Sequence, residues 1–217
     1  RLIGDNTDAY GVRFALERLG LTLAGTEALI LGSGGTSRTV VAVLRENGAA
    51  SVTVVSRQGP VTYPDALTRT GCGLIVNTTP LGMNPATEGD PLPLDGFPRL
   101  RGVFDAIYNP LRTRFIQRAE RLGLPAANGL WMLIAQAKAA GERFLNAELD
   151  EHEIERVDRM MIERTENIVL IGMPGAGKTT VGRPLAARTG KTFVDLDEVF
   201  VHRVGTSIPE YFKTHGE

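Results

Sequence analysis

The run EALILGSGGTSR at residues 27–38 decides the fold of most of this chain. Its apolar first half, EALIL, predicts a short buried strand, and the glycine-rich GSGG that follows predicts a tight turn. A helix is predicted over residues 39–46, ended by Asn47 and Gly48, and SVTVVS at residues 51–56 predicts a second strand. Strand, glycine turn, helix and strand form a βαβ unit, in which the strands are parallel and the crossover is right-handed.

Further strands and helices alternate on both sides of this unit. Residues 4–20 have apolar side chains at helical spacing, with Asn6 or Thr7 as the N-cap and Gly20 at the end. Strands are predicted at 74–77, 102–107 and 124–127, helices at 113–122 and 130–145, and a long functional loop at 78–101. This order predicts an α/β fold, a mostly parallel sheet with helices on both faces.

The first glycine turn also has the features of a dinucleotide site. Gly32, Gly34 and Gly35 follow a strand and precede a helix, but Ser37 stands where the third fingerprint glycine belongs. NAD-binding units usually have an acid at the end of the second strand, and this chain has Arg57 there, which suits the 2′-phosphate of NADP. A plain glycine-rich turn and a solvated surface arginine are the alternatives.

A second glycine-rich run, GMPGAGKTT at residues 172–180, matches the phosphate-binding loop pattern G-x-x-x-x-G-K-[ST] at every fixed position. We predict a short buried strand before it, at residues 167–171, and a helix after it, at residues 181–188. Lys178 would contact the outer phosphates and the Thr179 hydroxyl would bind Mg²⁺. The predicted nucleotide-binding residues are Gly172, Gly175, Ala176, Gly177, Lys178, Thr179 and Thr180. A glycine-rich turn with an unrelated lysine is the alternative.

Composition narrows the classes of function. The chain has 217 residues, 42% of them hydrophobic and 23% charged, with a formal net charge of −1. This balance provides no basic face for nucleic acid and no polybasic membrane patch, and no apolar run is long enough to span a membrane. The single cysteine, Cys72, excludes an internal disulfide, favours a cytoplasmic location and is expected to be a buried, unreactive thiol. Because the chain begins with Arg1 and ends at Glu217 without a helix stop, we expect it to be an excerpt of a longer polypeptide.

The charged helical segment at residues 151–166 indicates a domain boundary. It carries Ile154, Val157, Met161 and Ile162 at helical spacing, and it precedes the predicted strand of the second glycine motif. We therefore predict a nucleotide-binding domain at 1–149, a helical linker at 150–166 and a second domain at 167–217. The alternative is that this helix is simply the last helix of the first domain.

Five separated motifs in residues 1–145 resemble those of shikimate dehydrogenase, in the order typical of that family. They are NTD at 6–8, GSGG at 32–35, NTTPLGM at 77–83, the run from Asp105 to YNP at 108–110, and GL-x-M-x-x-x-QA at 129–137. The resemblance implies a Rossmann-like fold and reduction of 3-dehydroshikimate by NADPH.

The same resemblance assigns roles to individual residues. Asp8 would be the catalytic aspartate, and Asn6, Tyr108 and Gln136 would bind the substrate. The residues that would contact NADP are Gly32, Gly34, Gly35, Arg57, Thr78, Thr79, Met83, Gly129 and Met132. The alternatives are an early-turn helix carboxylate for Asp8, a surface polar residue for Gln136 and a packed aromatic for Tyr108. The family pairs the aspartate with a lysine that would lie upstream of this chain, and its usual Asn-Arg-Thr run at the 2′-phosphate is Ser-Arg-Gln at residues 56–58.

From residue 167 onward the chain resembles shikimate kinase, which implies the start of a P-loop kinase α/β domain. By this resemblance the phosphate loop would bind ATP with Mg²⁺, Asp195 would help to hold the Mg²⁺ through water, and Asp197 would bind the hydroxyls of shikimate. Two acids one residue apart at a strand end point to the same side, although both could instead cap the helix predicted at residues 196–204. Because that family's substrate arginines would lie beyond Glu217, we expect the chain by itself to be inactive in both reactions.

The sequence thus predicts a fragment of a bifunctional shikimate-pathway enzyme. Its partners would be the small molecules 3-dehydroshikimate and shikimate, with no nucleic acid and no membrane. A quinate/shikimate dehydrogenase that uses NAD is one alternative, and a non-catalytic nucleotide-binding regulatory module is another. We also expect the part beyond residue 166 to be only marginally stable.

Overall fold

The computed structural model describes residues 4–216, which form two compact units that divide between Arg164 and Thr165. The first unit is built on five strands, and every neighbouring pair is parallel. They are β1 (Glu27–Leu31), β2 (Ser51–Val55), β3 (Leu74–Asn77), β4 (Gly102–Asp105) and β5 (Ala126–Ala127), in the spatial order β2-β1-β3-β4-β5. The predicted parallel sheet is confirmed.

Helices follow or precede the strands throughout. In the first unit they are α1 (Thr7–Arg18), α2 (Gly35–Glu46), α3 (Tyr63–Ala66), α4 (Arg114–Arg121), α5 (Gly129–Leu145) and α6 (His152–Thr165), the last of which ends at the division. The second unit contains α7 (Lys178–Thr189), α8 (Leu196–Val204) and α9 (Ile208–His215). The short helix α3 was not predicted; Asp65 stabilises its start by accepting hydrogen bonds from both the backbone N–H and the hydroxyl of Thr62.

The sheet is covered on both faces, as predicted, because its strand residues alternate between two cores. On one face Ile30, Val76 and Phe104 pack with apolar residues of α1 and α2. On the other face Ile75 and Val103 pack with apolar residues of α4 and of the long connection between β3 and β4. That connection, residues 78–101, has neither helix nor strand, yet it contributes four buried apolar side chains, Leu92, Leu94, Phe97 and Leu100.

Helix α6 belongs to the first unit. We predicted a connector here, but Ile154 is only 1% exposed and packs with Leu130, Ile134 and Ala135 of α5. An ion pair of 2.7 Å between Arg18 of α1 and Glu155 holds the outer side of the helix. The chain therefore passes from one unit to the other at the end of α6, and most of the helix forms part of the first core.

The strand predicted at residues 167–171 does not form, and this prediction was wrong. The segment has neither helix nor strand, and Val169 and Ile171 are 72% and 89% exposed. A strand is stabilised by hydrogen bonds to a neighbouring strand, and residues 165–216 contain no second strand that could supply them. Close packing does occur at Gly182 of α7, where an added Cβ would lie 2.6 Å from the ring of Phe193 and 3.2 Å from Leu170.

Two predictions from composition can also be compared with the structure. Cys72 is buried, and burial raises the pKa of its thiol to about 11, so it is the unreactive interior cysteine that its flanking residues indicated. Among residues 4–216, none of the helices combines the length and the apolar character needed to cross a bilayer.

Candidate functional site

The first unit has a crevice where the strand order reverses, at the carboxyl ends of β1 and β3. In open parallel sheets this position is where ligands bind. The chain leaves β1 at Gly32, whose N–H donates to Val55 O at 2.8 Å. It leaves β3 at Thr78, whose backbone N–H and side-chain hydroxyl both donate to Leu31 O, at 2.8 and 2.7 Å. These bonds fix both loops at the same edge of the sheet.

The glycine loop after β1 has the shape of a phosphate cradle. Gly32 has a φ of +107° and lies so close to the next loop that a Cβ would be 2.8 Å from Thr78 Oγ1 and 3.1 Å from Thr79 Cγ2. Gly34 is the N-cap of α2 and supplies no side-chain capping bond, while a Cβ at Gly34 or Gly35 would meet nothing within 4 Å. An uncapped helix N-terminus with open space before it fits a pyrophosphate.

Arg57 follows the end of β2 and lines an adjacent cleft with a volume of about 450 Å³. The cleft is otherwise mainly apolar, bordered by Tyr63, Pro64, Leu67, Leu81, Pro91, Leu92 and Pro93. Burial raises the pKa of the Tyr63 phenol, and the charge of Arg57 partly offsets that effect, so the two side chains lie near each other. A cationic group at the rim of an apolar cleft fits a phosphorylated nucleoside.

A buried hydrogen-bond network lies beneath the loop that begins at Thr78. Asn77 ends β3 opposite Asp105, which ends β4, and both side chains are 0% exposed. Asn77 Nδ2 donates to Asp105 Oδ1 at 3.0 Å, and Asn77 Oδ1 accepts from the backbone N–H and the hydroxyl of Thr79, at 3.0 and 2.7 Å. The network therefore connects two strand ends to the predicted cofactor loop.

Asp105 is the ionisable member of this network. Burial raises its pKa to about 6, and hydrogen bonds from Thr113, Ile107 and Asn77 act in the opposite direction. Thr113 Oγ1 donates to Asp105 Oδ2 at 2.6 Å and accepts from Ile116 N at 3.2 Å, so this residue is also the N-cap of α4. At neutral pH the carboxylate is ionised and held by three donors.

The predicted catalytic and substrate residues lie on α1 and α5, which pack closely together. Asn6 is the N-cap of α1 through its Oδ1, which accepts from Asp8 N at 3.1 Å, and Asp8 is half-buried in the first turn. One turn later, a Cβ at Gly11 would lie 2.5 Å from Met132 O and 3.2 Å from Gln136 Cβ. Within the described residues Gln136 Oε1 is buried and has no hydrogen-bond partner. A buried acceptor of this kind suits a ligand hydroxyl.

The start of α5 joins these helices to the end of β4. Gly129 N donates to Ile107 O at 2.9 Å, and a Cβ at Gly129 would lie 2.1 Å from Ala106 O, so only glycine fits. Tyr108, 47% exposed, stands on the same connection, and Met83, 44% exposed, ends the run NTTPLGM. Their loops are tied by a 3.0 Å bond from Asn84 N to Asn109 O. The predicted cofactor and substrate loops are thus neighbours.

The phosphate loop of the second unit has its characteristic backbone although its strand is absent. Gly175 and Gly177 both have a φ of +78°, and Gly177 is the N-cap of α7 without a side-chain bond. Lys178 Nζ folds back over the loop and donates to Gly172 O and Met173 O, at 2.8 and 3.0 Å. Ala176 lies in the loop and Thr180 in the first turn of α7, and both are exposed. Glycines before an uncapped helix N-terminus are the arrangement that binds phosphate.

Thr179 and Asp195 lie together, with Thr179 Oγ1 donating to Asp195 Oδ2 at 3.3 Å. Two oxygen ligands from a hydroxyl and a carboxylate fit Mg²⁺. Asp195 is also the N-cap of α8, since its Oδ1 accepts from Asp197 N at 3.0 Å. The two predicted roles of Asp195, capping α8 and holding Mg²⁺, therefore use different oxygens of its carboxylate. Asp197 is exposed in the first turn of α8. Residues 4–216 contain no cluster of three or more His, Cys, Asp or Glu side chains that could hold a metal.

Some features of the site were not assigned from sequence. Asp105 was recognised only as part of a motif, and neither Thr113 nor Asn77 was given a role. Tyr63 and the prolines of the cleft were also missed. An acid inside an apolar strand was the available indication for Asp105, since a buried carboxylate requires donors nearby.

These features define a Rossmann-like nucleotide-binding unit followed by a segment with a P-loop. Among known proteins, the NADP⁺-dependent shikimate dehydrogenase of Symbiobacterium thermophilum is 36% identical to this chain over 166 residues, which are 65% of the chain and 56% of that relative. A family model described as shikimate kinase matches residues 174–217. The first part of the chain is therefore homologous to shikimate dehydrogenases and its end to shikimate kinases, and both predicted resemblances are confirmed.

Solved structures agree with this assignment. A chorismate mutase/shikimate 5-dehydrogenase fusion protein from Clostridium acetobutylicum superposes with a TM-score of 0.71 and 29% identity, over 75% of this chain and 63% of that one. Shikimate 5-dehydrogenase from Thermus thermophilus, in complex with NADP(H) and shikimate, gives a TM-score of 0.63 and 34% identity, over 74% and 64%. The chain thus spans less than two thirds of the length of these proteins.

Proposed function

We propose that this chain is part of a bifunctional shikimate-pathway enzyme. One reaction is the NADPH-dependent reduction of 3-dehydroshikimate to shikimate, and the other is the ATP-dependent phosphorylation of shikimate to shikimate 3-phosphate. The observation that carries the proposal is the close approach of Gly32 to Thr78 and Thr79, because it forms one cofactor crevice from two loops at the reversal of strand order. The 217 residues bind nucleotide in this proposal but do not complete either reaction by themselves.

The residues of the first unit fit NADP in a definite order along the crevice. Arg57 lies at the cleft that suits the adenosine 2′-phosphate, and Gly34 and Gly35 leave open space for the pyrophosphate at the start of α2. Thr78, Thr79 and Met83 border the nicotinamide end. When bound, NADPH supplies the hydride of the reduction.

The substrate side is formed by α1, α5 and the Tyr108 loop. Reduction of a ketone places negative charge on its oxygen, so a proton donor is needed within hydrogen-bond reach, and in the proposal Asp8 has this role as a pair with the upstream lysine that the dehydrogenase resemblance implies. Gln136 Oε1, buried and without a partner among the described residues, accepts from a substrate hydroxyl. Asn6 and Tyr108 bind the remaining polar groups, while Gly129 and Met132 keep α5 against the crevice.

In the second unit the phosphate loop would hold ATP. Its exposed backbone amides and Lys178 bind phosphate oxygens, and Thr179 with Asp195 holds Mg²⁺. Mg²⁺ supplies charge neutralisation at the phosphates when bound. Asp197, one residue into α8, binds the hydroxyls of shikimate.

Nucleotide titration tests the cofactor assignment. We expect the chain to bind NADPH more tightly than NADH, measured by fluorescence, and Arg57→Ala to weaken NADPH about tenfold with little effect on NADH, since only NADPH carries the 2′-phosphate. Arg121→Ala, an exposed arginine on α4, is the matched control and should change neither. Tighter binding of NADH, or no loss on Arg57→Ala, would favour the alternative of an NAD-dependent quinate/shikimate dehydrogenase.

A different observation distinguishes the enzyme from the alternative, a non-catalytic regulatory module. A non-catalytic sensor would keep both phosphate loops without the paired lysine that the dehydrogenase resemblance implies for Asp8. The sequence of the complete gene decides between these, because an upstream substrate domain with that lysine favours the enzyme.

A further inference from the structure

Asp105 is a buried acid that the proposed reactions do not use directly. It is 0% exposed at the carboxyl end of β4, in register with Asn77 at the end of β3. An ionised carboxylate in an apolar interior is costly unless it is fully hydrogen-bonded. A carboxylate buried this completely therefore indicates that neighbouring groups need a hydrogen-bond acceptor at this position.

Three segments of the chain meet that requirement. Asp105 Oδ1 accepts from Asn77 Nδ2 at 3.0 Å and from Ile107 N at 3.1 Å, and Oδ2 accepts from Thr113 Oγ1 at 2.6 Å. The donors come from the end of β3, the turn that leads to Tyr108, and the N-cap of α4. The carboxylate thus holds these three segments together beneath the crevice.

The carboxylate also fixes which way the Asn77 amide points. A carboxylate only accepts hydrogen bonds, so Asn77 must turn its NH₂ toward Asp105 and its Oδ1 toward Thr79. In that orientation Oδ1 accepts both the backbone N–H and the hydroxyl of Thr79, and Thr79 Oγ1 in turn accepts from Leu81 N at 3.2 Å. If the amide were reversed, its oxygen would face the carboxylate and the bonds to Thr79 would be lost.

We propose that Asp105 is a positioning residue for the cofactor site, which through Asn77 holds the loop at residues 78–83 in the conformation that receives the nicotinamide ring. This role rests on the proposed NADP-binding function. Asp105 touches neither cofactor nor substrate in this proposal. We expect its effect to be largest at the nicotinamide end, because within the described residues neither Arg57 nor the glycine loop is hydrogen-bonded to Asp105, Asn77 or Thr113, although Leu81 of the held loop also borders the Arg57 cleft.

Two ligands distinguish positioning from general support of the fold. NADPH fills the whole crevice, whereas adenosine 2′,5′-bisphosphate would contact only the Arg57 cleft and, through its 5′-phosphate, the glycine loop, and would not reach the nicotinamide end. For Asp105→Ala we expect NADPH binding to weaken about tenfold and adenosine 2′,5′-bisphosphate binding to change less than twofold. Asn77→Ala removes the connecting amide and should show the same selectivity, which decides the matter if Asp105→Ala does not fold.

Two further variants serve as controls. Asp105→Asn can still accept from Asn77 and Ile107 through its carbonyl oxygen and donate to Thr113, so NADPH binding should return to within about threefold of the unaltered chain. Val103→Ala leaves a cavity in the same strand without touching the network, so it should lower stability but preserve the ratio of the two affinities.

Hydrogen exchange provides a readout that needs no ligand. The Thr79 amide, bonded to Asn77 Oδ1, should exchange at least about tenfold faster in Asp105→Ala than in Val103→Ala. Parallel weakening of both ligands, or unchanged exchange at Thr79, would overturn the role of Asp105. If the unaltered chain binds neither ligand, the proposed function fails and this role fails with it; if it binds both, only the variants bear on Asp105.

Discussion

The two glycine loops of this chain each contain positive-φ glycine and lead into a helix, but they have very different surroundings. The loop at Gly32–Gly34–Gly35 follows a strand whose last residue, Leu31, is 0% exposed, and it is bonded to the neighbouring strand ends. The loop at residues 172–177 follows a segment without helix or strand whose last residue, Ile171, is 89% exposed. In the described part of the second unit, Gly182 is the one residue that is buried.

This difference shows which features of a phosphate loop depend only on residues that are close in sequence. Left-handed glycines and a helix N-terminus form in both loops, because they depend on residues next to one another in sequence. A buried strand forms only in the first unit, because it depends on hydrogen-bond partners from distant segments. Loop conformation follows from the motif, whereas the rigidity of the site follows from the sheet.

The largest expected effect is a difference in protease resistance. Limited digestion with trypsin should cleave the chain beyond Glu166 at least about tenfold faster than within residues 4–164, because little of the second unit is buried. Arginine and lysine occur in both units, so the supply of cleavage sites does not explain such a difference. Intact-mass spectrometry of the products at successive times is the measurement. If an intact segment from 167 to 217 survived the digestion, the surroundings of the two loops would not differ in stability as we expect.

A second expected effect concerns pH and Asp105. Burial raises the pKa of this group to about 6, above its ordinary value of 3.8, so the folded state binds more protons than the unfolded state between those values. Its contribution to the free energy of unfolding therefore falls as pH rises from about 4 to about 6, by on the order of 3 kcal/mol. Asp105→Asn should lack this slope. Urea unfolding of both proteins from pH 4 to pH 7 measures the difference.

Asp65 is the matched control for that experiment. Hydrogen bonds from Thr62 lower its pKa, so its contribution is present above the ordinary value and is lost as pH falls through the folded value. Asp65→Asn should therefore leave the slope between pH 4 and pH 7 unchanged, because the stability that depends on ionised Asp65 is lost only below its ordinary pKa of 3.8. Equal slopes for Asp105→Asn and the unaltered protein would show that the buried acid does not titrate in this range.

The smallest expected effect compares one substitution in the two loops. Gly32→Ala should lower the free energy of unfolding of the first unit by about 2 kcal/mol, because of the positive φ and the contact with Thr78. Gly177→Ala should cost about 1 kcal/mol in its own unit and leave the main transition unchanged, since its Cβ would meet nothing within 4 Å. Thermal unfolding followed by circular dichroism reports the main transition.

Gly34→Ala is the control for these two variants. Its φ of −80° is open to any residue, and the added Cβ would meet no atom within 4 Å, so stability should change by less than about 0.5 kcal/mol. An equal loss for Gly32→Ala and Gly34→Ala would mean that the approach of Thr78 does not constrain the first loop.

Most of the first unit could be predicted from sequence because its elements are marked locally. β1 and β3 were placed to the residue by their apolar runs, and α1 by the cap at Asn6 and the turn at Gly20. The failure at residues 167–171 has the opposite cause, since NIVLI has the composition of a strand but no partner in the described chain. Helix α6 was ambiguous because its apolar stripe fits both a connector and a packed helix, and only the contacts of Ile154 distinguish them.

The candidate site was predictable where function depends on a short motif. Roles for the glycine loops, the arginine after β2 and the polar residues of α1 and α5 were all assigned in this way, and these roles stay predictions. The network of Asn77, Asp105 and Thr113 was not, because it joins residues from three elements whose register is known only once β3 and β4 pair. The apolar cleft beside Arg57 has the same origin, since it is formed by segments far apart in sequence.

The connection between β3 and β4 has a consequence for how the molecule reaches its folded state. One face of the sheet is closed partly by Leu92, Leu94, Phe97 and Leu100, which belong to a segment without helix or strand. A crossover helix could nucleate on its own turns, but this segment must lose its chain entropy before its side chains gain any contact. We therefore expect that face to assemble late, after the β1–β3 pairing and the opposite helical face have formed. The cleft beside Arg57, which the same segment borders, should then be among the last parts of the unit to be completed.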